Sequence, residues 1–140
     1  MSQQLVTLLL GSNLGDRKKN LRTAMLFIEK EIGPIEQRTE YLNTEPVEFV
    51  SNNIFCNIAL RIKTHLSPVE LLNLLKNIEH LMGREEDTLI SKEYSDRVID
   101  IDIVLFGNLH FYSERLQIPH VRHFYEREFS RKLLDELTKH

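Results

Sequence analysis

A single cysteine, Cys56, stands in the whole chain, so no intrachain disulfide can form and nothing in the composition points to an oxidising compartment. Its setting in the run IFCNIAL reads as a small core position. No apolar run approaches the ~20 residues that span a bilayer. The opening MSQQLVTLLLGSN has neither the basic flank nor the apolar length of a secretory leader, so a cytoplasmic location without membrane partners is expected. Excess positive charge is missing too. A formal net charge of −3 argues against a nucleic-acid binder that relies on overall basicity. Repeats, low-complexity tracts and linker-like segments are absent. A chain of 140 residues is long enough for one core and too short for two, so residues 1–140 read as one domain.

What is present is concentrated in Arg97 to Gly107, RVIDIDIVLFG. Alternation from Val98 through Phe106 reads as a β-strand with Asp100 and Asp102 on one face and Ile99, Ile101, Ile103 and Leu105 on the other. Two such close carboxylates repel unless a cation lies between them, and oxygen ligands with no Cys or His nearby in the sequence favour Mg²⁺. Arg97 belongs to the opposite side of the pleat or to the loop that enters it. Carboxylates for metal beside a guanidinium for phosphate suit phosphoryl transfer. An edge strand with a solvated acidic face is the alternative, and this motif alone does not exclude it.

Along the chain, Leu5 to Leu10 reads as a buried strand closed by Gly11. The turn GSNLGDR then leads into an amphipathic helix with Leu21, Ala24, Ile28 and Ile32 on one side, ending at Gly33-Pro34. Gly11, Gly15 and the Ser12 hydroxyl could cradle an anion, but their spacing matches no phosphate-loop fingerprint, and turn geometry is the better reason for the glycines. Ile35 to Leu42 reads as a polar strand. Phe55 to Lys63 alternates, with Phe55, Asn57, Ala59 and Arg61 opposite Cys56, Ile58, Leu60 and Ile62. An amide such as Asn57 in mid-strand can read the edge of a heterocycle or satisfy a neighbouring loop.

Ser67-Pro68-Val69-Glu70 is a helix start, with Ser as cap and Glu three residues on. Leu71, Leu72, Leu74, Leu75, Ile78, Leu81 and Met82 give that helix a broad apolar face, and Glu79 lies near its end. Residues 85–96 are polar and aperiodic and read as a loop, with Lys92 and Tyr94 as ligand contacts. After Gly107-Asn108 comes a small hairpin, then His120 and His123, which on a helix could share a metal. With no second ligand pair nearby in the sequence, phosphate contact by His120 and Arg127 is the preferred reading. A last helix from Glu126 carries Phe129, Leu133, Leu134 and Leu137 on one side. The order β-α-β-β-α-β plus hairpin and C-terminal helix predicts an α+β ferredoxin-like sandwich, an antiparallel sheet with both long helices on one face.

Taken in order, LLLGSNLGDR, Thr44-x-Pro46, Phe55-x-Asn57, Ser67-Pro68-x-Glu70-Leu71-Leu72, Ile78-Glu79 through Gly83-Arg84, Arg97 through Gly107, Glu114-Arg115-Leu116-x-Ile118-Pro119-His120 and Glu126-Arg127-x-Phe129 resemble the 6-hydroxymethyl-7,8-dihydropterin pyrophosphokinase family over nearly the whole chain. The resemblance implies an ATP-dependent diphosphotransferase of folate biosynthesis that uses ATP as co-substrate and two Mg²⁺ ions held by Asp100 and Asp102. It implies that Arg84, Arg97, His120 and Arg127 surround the triphosphate, with Glu79, Lys92, Ile103 and Arg115 near the nucleotide. Thr44, Val47, Phe55, Asn57, Tyr94, Asp100 and Phe129 fall where the family holds the pterin. The chain departs from the family where Tyr94-Ser95-Asp96 replaces the usual W-G-P and where Glu86 replaces a basic residue. A paralogue that binds pterin or nucleotide without efficient catalysis is therefore the second reading. An RNA-binding module of the same fold class is disfavoured, because Asp100 and Asp102 would repel phosphate on its exposed sheet. A monomer acting on small molecules is expected.

Overall fold

The computed structural model describes residues 2–44, 54–83, 97–123 and 127–138. The elements are β1 (Gln4–Ser12), α1 (Arg17–Glu31), β2 (Ile35–Arg38), β3 (Leu42–Thr44), β4 (Phe55–Thr64), α2 (Pro68–Leu81), β5 (Asp100–Phe106), β6 (Phe111–Tyr112), β7 (Gln117–Ile118) and α3 (Glu128–Thr138). The main sheet runs β2-β4-β1-β5, with β3 also on β4, and every pairing is antiparallel. β6 and β7 form the expected hairpin. The fold is the expected α+β sandwich. Val47, Arg84, Lys92 and Tyr94, with Glu86 and the rest of the loop 85–96, lie outside the described residues.

Each layer follows from the pattern of apolar residues. Leu8, Leu10, Ile58, Leu60, Ile101 and Ile103 face Leu21, Ala24 and Ile28 of α1 and Leu71, Leu75 and Ile78 of α2, so both long helices cover one face. On the other face Leu9, Ala59 and Val104 pack under Leu133 and Leu137 of α3. The Asp16 side chain caps α1 by accepting from Lys19 N–H, and Ser67 and Glu70 form a reciprocal capping box on α2. Cys56 is buried in the helix-side core, and that burial pushes its thiol pKa up against the opposing pull of Arg17 and Lys18. Gly33 has a packing reason: a Cβ there would collide with the backbone carbonyl of Lys63.

Three expectations need correction. Leu105 does not share a face with Ile99, Ile101 and Ile103. The register slips between Thr7 and Leu8, which face Leu105 and Ile103, so Val104 is an extra residue and both it and Leu105 pack with the α3 cluster. Ile35 to Leu42 is two strands, broken at Thr39, whose side-chain oxygen accepts from Ala59 N–H and whose backbone N–H donates to Ala59 C=O. Leu81 is 62% exposed, because the helix ends there, ahead of the left-handed Gly83.

Candidate active site

The register aligns Leu42 with Asn57, Asn57 with Gly11, and Gly11 with Asp100, one row across four strands on the face away from α1 and α2. Gly11 contributes no side chain to this row, and the Asn57 and Asp100 backbones on either side of it stand roughly 10 Å apart across two strand spacings. A Cβ at Gly11 would meet Asn57 Oδ1 at 2.9 Å and the Phe55 ring at 3.4 Å. Asn57 Nδ2 donates to Leu42 C=O (3.1 Å) and to Thr44 Oγ1 (2.8 Å). The amide therefore ties down β3, and it leaves its carbonyl over Gly11 to accept from a ligand. Thr44, Phe55 and Asn57 thus meet at one spot, with Asp100 on the far side of Gly11 in the same row. Phe129 packs at the edge of the α3 cluster, edge-on to the His123 ring at 6.3 Å.

Asp100 and Asp102 share this face of β5, an edge strand, yet their side chains are only 21% and 25% exposed. Both carboxylates are partly buried and engaged, Asp100 by Arg97 and Asp102 by His123, which counts against a freely solvated acidic face. Arg97 lies in the loop entering β5, with Nη1 3.3 Å from Asp100 Oδ2. Its backbone is clamped both ways by Asn13, which accepts from Arg97 N–H at Oδ1 (2.6 Å) and donates its own N–H to Arg97 C=O (3.0 Å).

The expectation of no histidine near the carboxylates holds in the sequence and fails in space. His123 Nε2 is 2.6 Å from Asp102 Oδ2, and its Nδ1 is 2.7 Å from Ser130 Oγ. Asp102, His120 and His123 each bring one ligand-type atom within 4.8 Å of the others. Burial acts to raise the Asp102 carboxyl pKa, but the hydrogen bond and charge of His123, helped by His120 and Lys76, overcome it and hold the group well below the usual carboxylate range. His120 sits beside it because its N–H donates to Val104 C=O (2.9 Å) on β5. Burial lowers the His120 pKa, with His123 and Arg127 adding to the shift and Asp102 and Asp100 opposing it.

Glu79 is buried and its Oε2 accepts from Ile101 N–H (2.7 Å), while its Oε1 is 3.5 Å from Lys76 Nζ. Ile103 is buried in the helix-side core, so it lies on the opposite face from the carboxylates. Arg115 is exposed and donates to Asn73 Oδ1 on α2 (3.2 Å). The Ser12 hydroxyl accepts from Asn20 Nδ2, and Gly15 has φ +66, so turn geometry accounts for both.

Residues 7–139 match the family model described as 7,8-dihydro-6-hydroxymethylpterin-pyrophosphokinase (HPPK). The chain belongs to this family. HPPK enzymes are ATP-dependent diphosphotransferases of folate synthesis, and two relatives put the likeness on a scale. The 2-amino-4-hydroxy-6-hydroxymethyldihydropteridine pyrophosphokinase of Bacillus subtilis is 35% identical over 131 residues, 93% of this chain and 75% of that protein. A folate synthesis bifunctional protein of Arabidopsis thaliana is 40% identical over 124 residues, 89% of this chain and 25% of that protein. This chain therefore spans about a quarter of the bifunctional relative. In structure, wild-type Plasmodium falciparum HPPK-DHPS with SDX-DHP superposes with a TM-score of 0.72 over 97% of this chain and 41% of that one, at 18% identity, a likeness of fold alone.

Motif reading passed over Asn13 and Ser130, and it weighed His123 only with His120, without Asp102. Asn13 lies inside a recognised motif, but its partner is 84 residues away. His123 meets Asp102, and Ser130 of α3 meets His123, through tertiary packing that no local spacing reports.

Proposed function

We propose that this chain transfers the β,γ-diphosphate of ATP to the hydroxymethyl oxygen of 6-hydroxymethyl-7,8-dihydropterin, giving the pterin diphosphate and AMP, with Mg²⁺ required. The observation that carries this reading is the row Asn57, Gly11, Asp100: an amide and an aromatic ring laid over a glycine, in register with a carboxylate on the same face of the sheet. Such a row suits a flat heterocycle. The Asn57 carbonyl accepts a ring N–H, Phe55 over Gly11 offers an aromatic face, and Thr44, Val47, Tyr94 and Phe129 complete the pterin site.

Asp100 and Asp102 are hard oxygen donors on one face, largely screened from solvent, and Asp102 is held ionised. That donor set fits Mg²⁺, two ions in this reading, which when bound neutralise charge on the polyphosphate and polarise it for attack. Arg84, Arg97, His120 and Arg127 hold phosphate oxygens so that the β-phosphorus lines up with the hydroxymethyl group. Glu79, Lys92, Ile103 and Arg115 are the residues this reading assigns to the nucleotide. The hydroxymethyl oxygen bonds to the β-phosphorus, and the bond from that phosphorus to the α,β-bridging oxygen breaks. AMP departs with the electron pair and the hydroxyl proton goes to water. Positioning and electrostatics supply the catalysis, with no obligatory general base assigned.

A cytoplasmic monomer without nucleic-acid or membrane partners belongs to the same reading. The test is AMP release from ATP, strictly dependent on both pterin and Mg²⁺. Pterin binding by calorimetry with no AMP release at saturating ATP and Mg²⁺ would instead favour the non-catalytic paralogue.

A further inference from the structure

We infer that Ser130 and His123 form a buried line that positions the Asp102 carboxylate for the metal, making His123 a positioning residue and Ser130 its anchor. The inference rests on the proposed role of Asp102 as a metal ligand. The line runs Ser130 Oγ to His123 Nδ1 (2.7 Å) and His123 Nε2 to Asp102 Oδ2 (2.6 Å). Ser130 is fully buried and His123 is 3% exposed, so neither link competes with water.

The chemistry of each group gives the direction. Whether the imidazole is neutral, with the Ser130 hydroxyl donating to Nδ1, or protonated, with Nδ1–H donating to Ser130 Oγ, its Nε2–H donates to Asp102. That hydrogen bond occupies Oδ2 and fixes the carboxylate plane, which leaves Oδ1 as the oxygen for a cation. A carboxylate on an edge strand otherwise rotates freely, and ligands whose outer partners are removed typically lose about 10- to 100-fold in metal affinity. The His120 ring, with its centroid 4.4 Å from that of His123, and Phe129, edge-on at 6.3 Å, hold the imidazole from its sides. The line also ties α3 to β5, linking the helix that carries Phe129 to the strand that carries the carboxylates.

A direct metal site of Asp102, His120 and His123 is the competing use of the same atoms. Two donors arranged tetrahedrally round a cation at about 2.0–2.1 Å from each stand roughly 3.3 Å apart. The 2.6 Å separation of His123 and Asp102 is that of a charge-assisted hydrogen bond.

The test is Mn²⁺ binding, followed by electron paramagnetic resonance in the presence of α,β-methylene ATP, for the full chain and four variants. Asp102→Asn tests the metal reading alone: if it binds Mn²⁺ as the unaltered chain does, Asp102 is no ligand and the reading beneath this inference fails. Given a loss there, His123→Leu is expected to weaken Mn²⁺ binding about tenfold, His123→Gln, which restores an N–H toward Asp102, to recover most of it, and Ser130→Ala to lose about threefold. Unchanged Mn²⁺ affinity in His123→Leu and Ser130→Ala would overturn the inference. So would a His123→Gln loss as large as that of His123→Leu, which would make the imidazole itself a ligand. Should His123→Leu fail to fold, the Ser130→Ala and His123→Gln results still decide.

Discussion

The side-chain carbonyl of Asn57 occupies the space that a side chain at position 11 would need, since a Cβ built on Gly11 falls 2.9 Å from Asn57 Oδ1. The backbone of Gly11 is not left-handed, so packing, and not conformational freedom, explains the residue. Gly11→Ala should push the amide or the Phe55 ring out of position while the sheet persists. Overpacking of this kind costs about 1–3 kcal/mol. Urea unfolding is expected to show that loss, and calorimetry a pterin affinity lower by about tenfold or more. Unaltered pterin affinity would remove Asn57 and Phe55 from the binding site.

Glu79 satisfies a donor that the sheet leaves open. Because β5 is an edge strand, Ile101 N–H points away from β1, and the buried Glu79 carboxylate accepts it at 2.7 Å. Glu79→Leu strands that donor and should cost about 1–3 kcal/mol of stability. Glu79→Gln keeps an acceptor and should lose much less, since the Lys76 partner of its ion pair is 37% exposed. Thermal melts of the two variants give the comparison; equal losses would mean that the charge and not the hydrogen bond matters.

These residues show what can be read from a linear sequence. Alternation in Phe55 to Lys63 and the cap at Ser67 are local, and they give the strand, the helix start and the faces correctly. The bulge at Val104 has no such signature, because Val-Leu-Phe is apolar in either register, and pairing with β1 alone decides where the slip falls. Asp100 and Asp102 were legible as a pair because strand periodicity puts them on one face. The surroundings of Asp102 were not: His123 lies 21 residues away and Ser130 reaches it from α3, so the site is completed by tertiary packing. Asn57 was legible as a polar residue in mid-strand, but its bonds to Leu42 and Thr44 depend on how β3 returns along β4.

The capping box gives a pH dependence with a definite sign. Accepting from Ser67 N–H lowers the Glu70 pKa below its ordinary value, so the ionised form is favoured in the folded chain. Its contribution is fully present above the unfolded carboxylate pKa and is lost as pH falls through the lowered one. The stability gap between the unaltered chain and Glu70→Ala should stay constant above about pH 5 and close below about pH 4. Urea midpoints across that range provide the check, and a gap that widens on acidification would contradict the assignment.

The central claim is that the acidic face of β5 is the platform for diphosphoryl transfer. Its most direct test is AMP formation from ATP and 6-hydroxymethyl-7,8-dihydropterin by the unaltered chain, Asp100→Ala and Asp102→Ala, with circular dichroism confirming each fold. The unaltered chain should release AMP only when both pterin and Mg²⁺ are present, and each variant should be slower by at least about 10²- to 10³-fold, the scale of losing one preorganised electrostatic group. Full-rate AMP release by either folded variant would contradict the account.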